Sequence, residues 1–268
     1  MTVGLAGTII PRREAPHPMD SFAVISDVHG NLEALEAVLA EVDRLGVRRI
    51  LSLGDVVGYG PDPEACLRLV QARCSHRLLG NHEHAVLNPG MAFEFNPSAQ
   101  AALEWTRERL RQADLLPALE GLLPHHQEGE YLFVHGSARN ALEEYLRETD
   151  PEGRSTFEAV AASIEEDFTS FRICFVGHNH KPFLATAEGF LHPHAERATF
   201  QVPPEEKLYV SVGSVGQPRD LDPRACFVVF EGTRVDYHRV PYPWTATAAK
   251  IRAAGLPGRL AERLGLGR

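Results

Sequence analysis

The chain has 268 residues, of which 44% are hydrophobic and 24% charged, as in a globular protein with one sizeable core or at most two small domains. Its net charge of −9 and the lack of a polybasic run argue against binding to a nucleic-acid backbone. No apolar run reaches the ~20 residues of a membrane span, and residues 1–20 lack the apolar stretch of a signal peptide. We therefore expect a flexible arm over 1–20, a single domain over 21–268, and a cytoplasmic protein without membrane contact.

The first half of the chain alternates predicted strands and helices. Short apolar runs predict the strands, and apolar positions at helical spacing predict the helices between them. In chain order we predict a strand at 22–26, a helix at 31–45, a strand at 49–53, a helix opened by Pro61 and Pro63, and a strand at 75–79. This βαβαβ order predicts a parallel sheet.

The pattern changes after the third strand. Residues 91–124 contain no strand pattern, and we interpret them as a small helical insertion or cap, with Asn96-Pro97 opening one helix and 115–122 forming a second. Strands at 130–135 and 172–177 then flank a helix around 155–170. The remainder is mostly β, with strands predicted at 183–187, 190–192, 208–213, 226–231 and 234–240. A mixed first half and a β-rich second half predict an α/β fold of two packed sheets with helices outside.

Short polar motifs follow five of these apolar strands. They are Ser26-Asp27-Val28-His29-Gly30-Asn31, Gly54-Asp55, Gly80-Asn81-His82-Glu83, His135-Gly136-Ser137 and Gly177-His178-Asn179-His180. Each motif offers a carboxylate, an imidazole or an amide carbonyl, and none offers a cysteine. Because ligands of open α/β sheets bind at the carboxyl ends of the strands, we expect these motifs to meet. The donor set predicts two metal ions held close together, and hence a hydrolase.

The spacing within two motifs suggests how an ion is held. In Asp27-x-His29 both side chains would lie on one face of an extended strand end, because side chains alternate with a period of two. His178-x-His180 has the same spacing. Each pair can therefore hold one ion from two sides.

The remaining candidates complete the donor set. Asp55 stands alone after its strand, and its two oxygens can bridge two cations. Asn81 offers a neutral carbonyl oxygen and His135 an imidazole. Hard oxygen ligands mixed with imidazole suit Mn, Fe, Zn or Mg, and the residues alone leave the choice among these four open.

Taken together, the motifs D-x-H-G-N, G-D, G-N-H-E, a strand-end H-G and G-H-x-H resemble those of the calcineurin-like metallophosphoesterase superfamily, from about Ser21 to Arg219. The segment 212–219 is similar to the N-P-G-S-x-G-x-P-R segment of its small bacterial phosphodiesterase-like branch, although Val212 stands where asparagine is frequent. That branch includes enzymes that cleave diadenosine tetraphosphate. The resemblance implies a four-layer αββα sandwich, in agreement with the fold predicted from the pattern of elements.

The resemblance also implies a role for each polar side chain. One carboxylate and two imidazoles would hold the first metal, from Asp27, His29 and His180. An amide and two imidazoles would hold the second, from Asn81, His135 and His178. Asp55 would bridge both metals, and His82 would be a catalytic residue beside the substrate phosphate rather than a ligand. Among the departures, Glu83 stands where many members have aspartate, and none of the departures affects an expected ligand.

Two cations that share Asp55 could also share a water, lower its pKa and supply a bridging hydroxide that attacks phosphorus. His82 would stabilise the phosphoryl oxygens or protonate the leaving oxygen. We therefore predict a phosphoesterase with two divalent metals, Mn²⁺ being the expected one, that hydrolyses a small phosphodiester or nucleotide, with diadenosine tetraphosphate as a candidate. Tyr59, Arg139 and Arg219 are the candidate substrate contacts.

Three alternatives were weighed against this prediction. A protein Ser/Thr phosphatase would need an open groove, which the insertion at 91–124 would tend to roof. A metal-dependent amidohydrolase barrel would begin with H-x-H and carry eight βα units, whereas this chain begins with Asp27-x-His29 and has a β-rich second half. A non-enzymatic scaffold would retain the fold but commonly lose ligands, and every expected ligand is present here.

Overall fold

The computed structural model describes residues 21–149, 156–194 and 197–268, where two six-stranded sheets pack face to face. The predicted N-terminal arm, 1–20, lies outside these residues. In the first sheet the strand order is β3-β2-β1-β11-β12-β9, and in the second it is β4-β5-β6-β10-β7-β8. The strands are β1 Ser21–Ile25, β2 Arg49–Ser52, β3 His76–Arg77, β4 His125–Glu128, β5 Tyr131–Val134, β6 Ile173–Val176, β7 Pro182–Thr186, β8 Gly189–Leu191, β9 Arg197–Gln201, β10 Leu208–Val212, β11 Ala225–Glu231 and β12 Arg234–Val240.

Helices cover the outer faces of the sheets. They are α1 Leu32–Arg44, α2 Pro63–Arg73, α3 Asn81–Leu87, α4 Pro97–Gln112, α5 Phe157–Asp167, α6 Trp244–Ala253 and α7 Gly258–Glu262, with 3₁₀ turns at Pro89–Glu94, Leu116–Ala118 and Leu264–Leu266. No helix among the described residues combines the length and apolar character needed to cross a bilayer.

The four layers follow from alternation along the strands. In β1, Phe22 and Val24 pack between the two sheets, whereas Ala23 and Ile25 pack against the helices of the outer layer. In β6, Phe175 likewise points between the sheets, and its neighbours point toward α5. The predicted α/β sandwich of two mixed sheets is therefore confirmed.

The two sheets present parallel strand ends to a common edge. β1, β2 and β3 are parallel in the first sheet, and β5, β6 and β10 are parallel in the second. The loops that leave these ends touch across the sandwich: the main-chain N–H of His178 donates to Asp27 Oδ2 at 3.1 Å. Residues far apart in the chain thus meet at one place.

Several elements differ from the sequence prediction. The third strand has only two residues, because Leu78 still donates to Ser52 but Leu79 donates to Leu123 instead. Residues 125–128 form an edge strand on β5 that was not predicted, since their polar side chains are mostly exposed and show no apolar alternation. The predicted helix at 115–122 is a single 3₁₀ turn, and the predicted helix at 155–170 is described only from Thr156.

The C-terminal helices α6 and α7 were also missed. The sequence of these two helices shows little apolar periodicity, because most of their buried residues are small, such as Thr247, Ala248 and Ala261. Ala248, Leu260 and Ala261 pack in a separate apolar cluster that includes Tyr59 and small residues of α4. The end of the chain therefore lies beside the loop that follows β2.

Candidate metal centre

Seven polar side chains from both sheets converge at the shared strand edge. They come from the loops after β1, β2, β5 and β6 and from the first turn of α3: Asp27, His29, Asp55, Asn81, His135, His178 and His180. All but the half-buried Asn81 are buried. The structure thus brings together every residue predicted as a metal ligand.

One group is built from the first and last motifs. His29 Nε2 and His180 Nε2 lie 3.2 Å apart, and Asp27 Oδ1 lies 3.2 Å from His180 Nε2 and 3.7 Å from His29 Nε2. Three potential ligand atoms therefore face one point, in a geometry that can hold a metal ion.

A second group lies beside the first. His135 Nε2 lies 3.2 Å from His178 Nδ1, 3.1 Å from Asn81 Oδ1 and 3.4 Å from Asp55 Oδ2. The carboxylate and the two imidazoles can also hold a metal ion.

Asp55 stands between the two groups. Its Oδ2 lies 3.4 Å from His135 Nε2 in the second group and 3.7 Å from His29 Nε2 in the first. It is also 3.9 Å from His82 Nε2, and His29, Asp55 and His82 form a third arrangement that could hold a metal. The geometry alone therefore leaves His82 as either a ligand or a neighbour of the ligands.

The four imidazoles of the two groups are oriented by hydrogen bonds to main-chain carbonyls. Nδ1 of His29, His135 and His180 bonds to the carbonyls of Val57, Leu53 and Gln217, and Nε2 of His178 bonds to that of Glu143. A neutral imidazole that donates from its outer nitrogen directs a lone pair inward from the other. The rings are thus held in the form that binds metals.

One carboxylate oxygen indicates that the pocket suits a cation. Asp27 Oδ1 is buried without a hydrogen-bond partner, although it faces the first group of imidazoles. A buried, unpartnered anionic oxygen is costly unless a cation compensates it. The donor set fits divalent metal ions for this reason as well as by its chemistry.

Burial and mutual charge shift the titration of the metal-free site. Burial lowers the pKa of His29, His178 and His180 well below the usual range, which favours the neutral form that binds metal. Burial raises the pKa of Asp27 to about 7. For Asp55 burial acts in the same direction, but the combined attraction to His135, His82 and His29 outweighs it and holds its pKa well below the usual range.

The expectation that each spaced pair holds one ion is correct for Asp27 and His29 but wrong for the second pair, because His180 lies in the first group and His178 in the second. The backbone conformation also differs from the prediction. β1 ends at Ile25 and β6 at Val176, and Asp27, His29, His178 and His180 all have positive φ between 50° and 61°. The side chains therefore meet through left-handed loop conformations rather than through the alternation of an extended strand. Backbone strain of this kind is concentrated at functional sites. Asp55, whose φ is 52°, has the same left-handed conformation.

Glu83 supports the site, a role that sequence reasoning missed. Its Oε2 accepts the main-chain N–H groups of Asp55 and Gly80 at 2.7 and 2.9 Å, and its Oε1 accepts that of Val57 at 3.0 Å. Burial raises the pKa of this carboxyl to about 7. Glu83 thus ties the start of α3 to the loop that carries Asp55.

We expect the substitution Glu83→Gln to lower the metal affinity by ~10–100-fold, the usual effect of removing a group that orients a ligand. Glutamine turns one acceptor oxygen into a donor that would face a main-chain N–H, and the Asp55 loop would shift. Titration of the metal-free protein with Mn²⁺ measures the change. Glu36→Gln on the exposed face of α1 is the matched control, and equal affinity of both variants would contradict the positioning role.

A cleft of about 500 Å³ opens over the two groups. Of the residues predicted to act on substrate, His82, Tyr59 and Arg219 line it. Arg139 does not: its guanidinium pairs with Glu144 and also donates to the carbonyl of Ala159. The predicted substrate contact of Arg139 therefore has no support in the structure.

The cleft also contains residues that the sequence did not single out as site residues. Part of the stretch at 91–98 lines it through Phe95 and Ser98, and the loop after β5 adds Tyr145. Arg259 and Arg263 reach it from the C-terminal helices. Cations about 80 residues beyond the last motif give no local signal in a sequence.

A glycine allows His82 to take its place in this cleft. Gly58 has a φ of 87°, and a Cβ there would lie 2.1 Å from His82 Nδ1. The neighbouring Tyr59 ring lies 4.5 Å from the His82 ring and 4.7 Å from that of His29. The Gly58-Tyr59 turn thus packs directly against both imidazoles.

Comparison with known proteins agrees with this geometry. The sequence model of calcineurin-like phosphoesterases matches residues 21–201, which carry all seven converging side chains. The chain belongs to this family. Family members typically bind two divalent metals. This calcineurin-like phosphoesterase is therefore a metal-dependent hydrolase of phosphoesters, with Asp and His groups able to hold the metal.

Relatives match this phosphoesterase over nearly its full length. An uncharacterized protein of Methanocaldococcus jannaschii, MJ0912, is 32% identical over 252 residues, which are 92% of this chain and 98% of the relative. The crystal structure of a metallophosphoesterase from Sphaerobacter thermophilus is 37% identical, covers 92% of this chain and all of its own, and has a TM-score of 0.78. The hypothetical protein PH1004 of Pyrococcus horikoshii shares the fold at 18% identity, with a TM-score of 0.74 over 92% of this chain and 98% of its own.

Proposed function

We propose that this phosphoesterase uses two divalent metal ions to hydrolyse a small phosphodiester or nucleotide. The observation that carries the proposal is the position of Asp55 Oδ2, 3.4 Å from one group of ligand atoms and 3.7 Å from the other. A carboxylate so placed can join two cations. Asp27, His29 and His180 would hold the first, and Asn81, His135 and His178 the second.

When bound, the two cations would neutralise phosphate charge and bring the pKa of a water near neutrality. The protein's own residues would position the reaction. The outer hydrogen bonds of the imidazoles keep their lone pairs directed inward, and the three main-chain bonds of Glu83 hold the Asp55 loop. We assign His82, whose ring lines the cleft, to donate a hydrogen bond to a phosphoryl oxygen or a proton to the leaving oxygen.

The cleft supports a small phosphorylated substrate. Its volume of about 500 Å³ lies within the range of small-molecule sites. We assign Tyr59 and Arg219 to the substrate, since both line the cleft near the ligand groups. Diadenosine tetraphosphate is a candidate among nucleotides, and Mn²⁺ is the metal that we expect to support the highest activity.

A substrate panel tests this function. The protein, stripped of metal and reloaded with Mn²⁺, Mg²⁺, Zn²⁺ or Fe²⁺, would be assayed on bis(p-nitrophenyl) phosphate, diadenosine tetraphosphate and a phosphoserine peptide. We expect hydrolysis of the diester or the dinucleotide, loss of activity with EDTA and recovery with metal. Preference for the peptide would favour a protein phosphatase instead, and no turnover with any metal would favour a non-enzymatic scaffold.

A further inference from the structure

The C-terminal helices add positive charge to the cleft. Arg259 lies on α7 and Arg263 directly after it, and both line the cleft together with Arg219. The two C-terminal arginines lie beyond residues 21–201, the part that the family's sequence model matches.

Several contacts hold this C-terminal part in place. The main-chain N–H of Leu221, two residues after Arg219, donates to the carbonyl of Gly267 at 2.9 Å. On α6, Thr247 donates to Asn31 Oδ1 at 3.0 Å, and Lys250 pairs with Asp62 at 2.9 Å. The arginines thus project from elements anchored to the loops after β1, β2 and β10.

The three guanidinium groups have no side-chain carboxylate within ion-pair distance among the described residues, although Glu94 and Glu143 line the same cleft. Arg219 donates to Gln217 Oε1 at 2.8 Å, and Arg263 donates to the main-chain oxygen of Arg268. Burial and then repulsion from Arg219 lower the pKa of Arg263 to about 10. Guanidinium groups that have no side-chain carboxylate partner and surround a cleft attract an anion.

The arginines stand next to the ligand groups without belonging to them. The guanidinium carbons of Arg219 and Arg263 each lie 6.0 Å from the centre of the Tyr59 ring. That ring packs against His29 and His82 at 4.7 and 4.5 Å. An anion held by the arginines would therefore lie beside the Tyr59 ring, next to the phosphate at the metals.

We propose that Arg259 and Arg263, together with Arg219, form a subsite for a second phosphate group of the substrate. The planar guanidinium group of arginine can donate two parallel N–H hydrogen bonds to phosphate oxygens, so such a subsite would favour phosphate. The substrate would then carry a scissile phosphate and at least one further anionic phosphate, as polyphosphates and nucleotide polyphosphates do. This inference rests on the proposed function, because it takes the scissile phosphate to lie at the metals.

Calorimetric titration of the Mn²⁺-loaded protein tests the subsite without requiring turnover. Orthophosphate is the probe with one phosphate and tripolyphosphate the probe with three. We expect Arg263→Gln to weaken tripolyphosphate binding about tenfold, the loss expected for one charge-assisted hydrogen bond, and to leave orthophosphate binding within about twofold. Arg259→Gln, at an exposed position, should have the same selective effect, and Arg263→Lys should restore part of the affinity.

Arg252→Gln on the exposed face of α6 is the matched control, since Arg252 does not line the cleft. Equal tripolyphosphate affinity in the Arg252, Arg259 and Arg263 variants would overturn the subsite. An equal loss of orthophosphate and tripolyphosphate affinity in the Arg259 and Arg263 variants would also overturn it, because the arginines would then bind the scissile phosphate. Tripolyphosphate also chelates Mn²⁺ in solution, but this reaction is the same for all variants and does not affect the comparison between them. Arginine-dependent tripolyphosphate binding without hydrolysis of either the diester or the dinucleotide would refute the proposed function and leave the anion subsite standing.

Discussion

The variant Asp55→Asn is expected to lose its phosphodiesterase activity, with kcat lower by ~100-fold or more, because even a small misplacement of the reacting groups has an effect of this size. An amide offers one neutral oxygen where the carboxylate offers two charged ones, so it cannot join two cations. The relevant oxygen lies 3.4 Å from His135 Nε2 and 3.7 Å from His29 Nε2, and one substitution therefore affects both groups. Steady-state kinetics on bis(p-nitrophenyl) phosphate and elemental analysis of bound metal measure the outcome.

Asp62→Asn is the matched control for this variant. Asp62 lies on the same loop after β2, but its carboxylate pairs with Lys250 and does not line the cleft. We expect the control to keep its metal content and its rate. Near-normal turnover by Asp55→Asn with added Mn²⁺ would show that the assignment of the bridge is wrong.

The second large effect is expected for His82→Ala, which should retain both metals and lose ~100-fold in kcat, as is typical for the loss of a general acid or base. The His82 ring lines the cleft, and its Nε2 lies 3.9 Å from Asp55 Oδ2. Kinetics combined with a count of bound metal separates rate from metal loss.

His125→Ala on the exposed edge strand β4 controls for the loss of an imidazole elsewhere. Should the His82 variant lose one metal equivalent while the control loses none, His82 would be a ligand. The third arrangement of His29, Asp55 and His82 would then describe the true site.

Much of the fold could be predicted because the apolar pattern of the buried strands is continuous. β1, β2, β5 and β6 lie where the sequence predicts them, since their residues are buried on both faces. The edge strand β4 and the helices α6 and α7 carry weaker patterns. At an exposed edge or in a cluster of small residues, the surrounding structure rather than local periodicity determines the conformation.

The sequence predicted which seven side chains converge and also placed His82, Tyr59 and Arg219 at the site. It gave no role to Glu83, which acts through three main-chain N–H groups, and it did not point to Arg263, which lies far along the chain. Arg139 follows a site motif, but it turns to Glu144 rather than to the cleft. Proximity in sequence to a ligand therefore did not predict which charges face the substrate.

The sequence by itself determined the donor chemistry and the order of the elements that carry it, because residue type and apolar pattern are local properties. Only the tertiary structure decided how those donors are arranged. It placed Asp55 between two groups of candidate ligands, divided His178 and His180 between those groups, and brought the C-terminal arginines to the cleft. These outcomes depend on packing between segments as many as 216 residues apart, as where Thr247 bonds to Asn31, and no local pattern encodes such contacts.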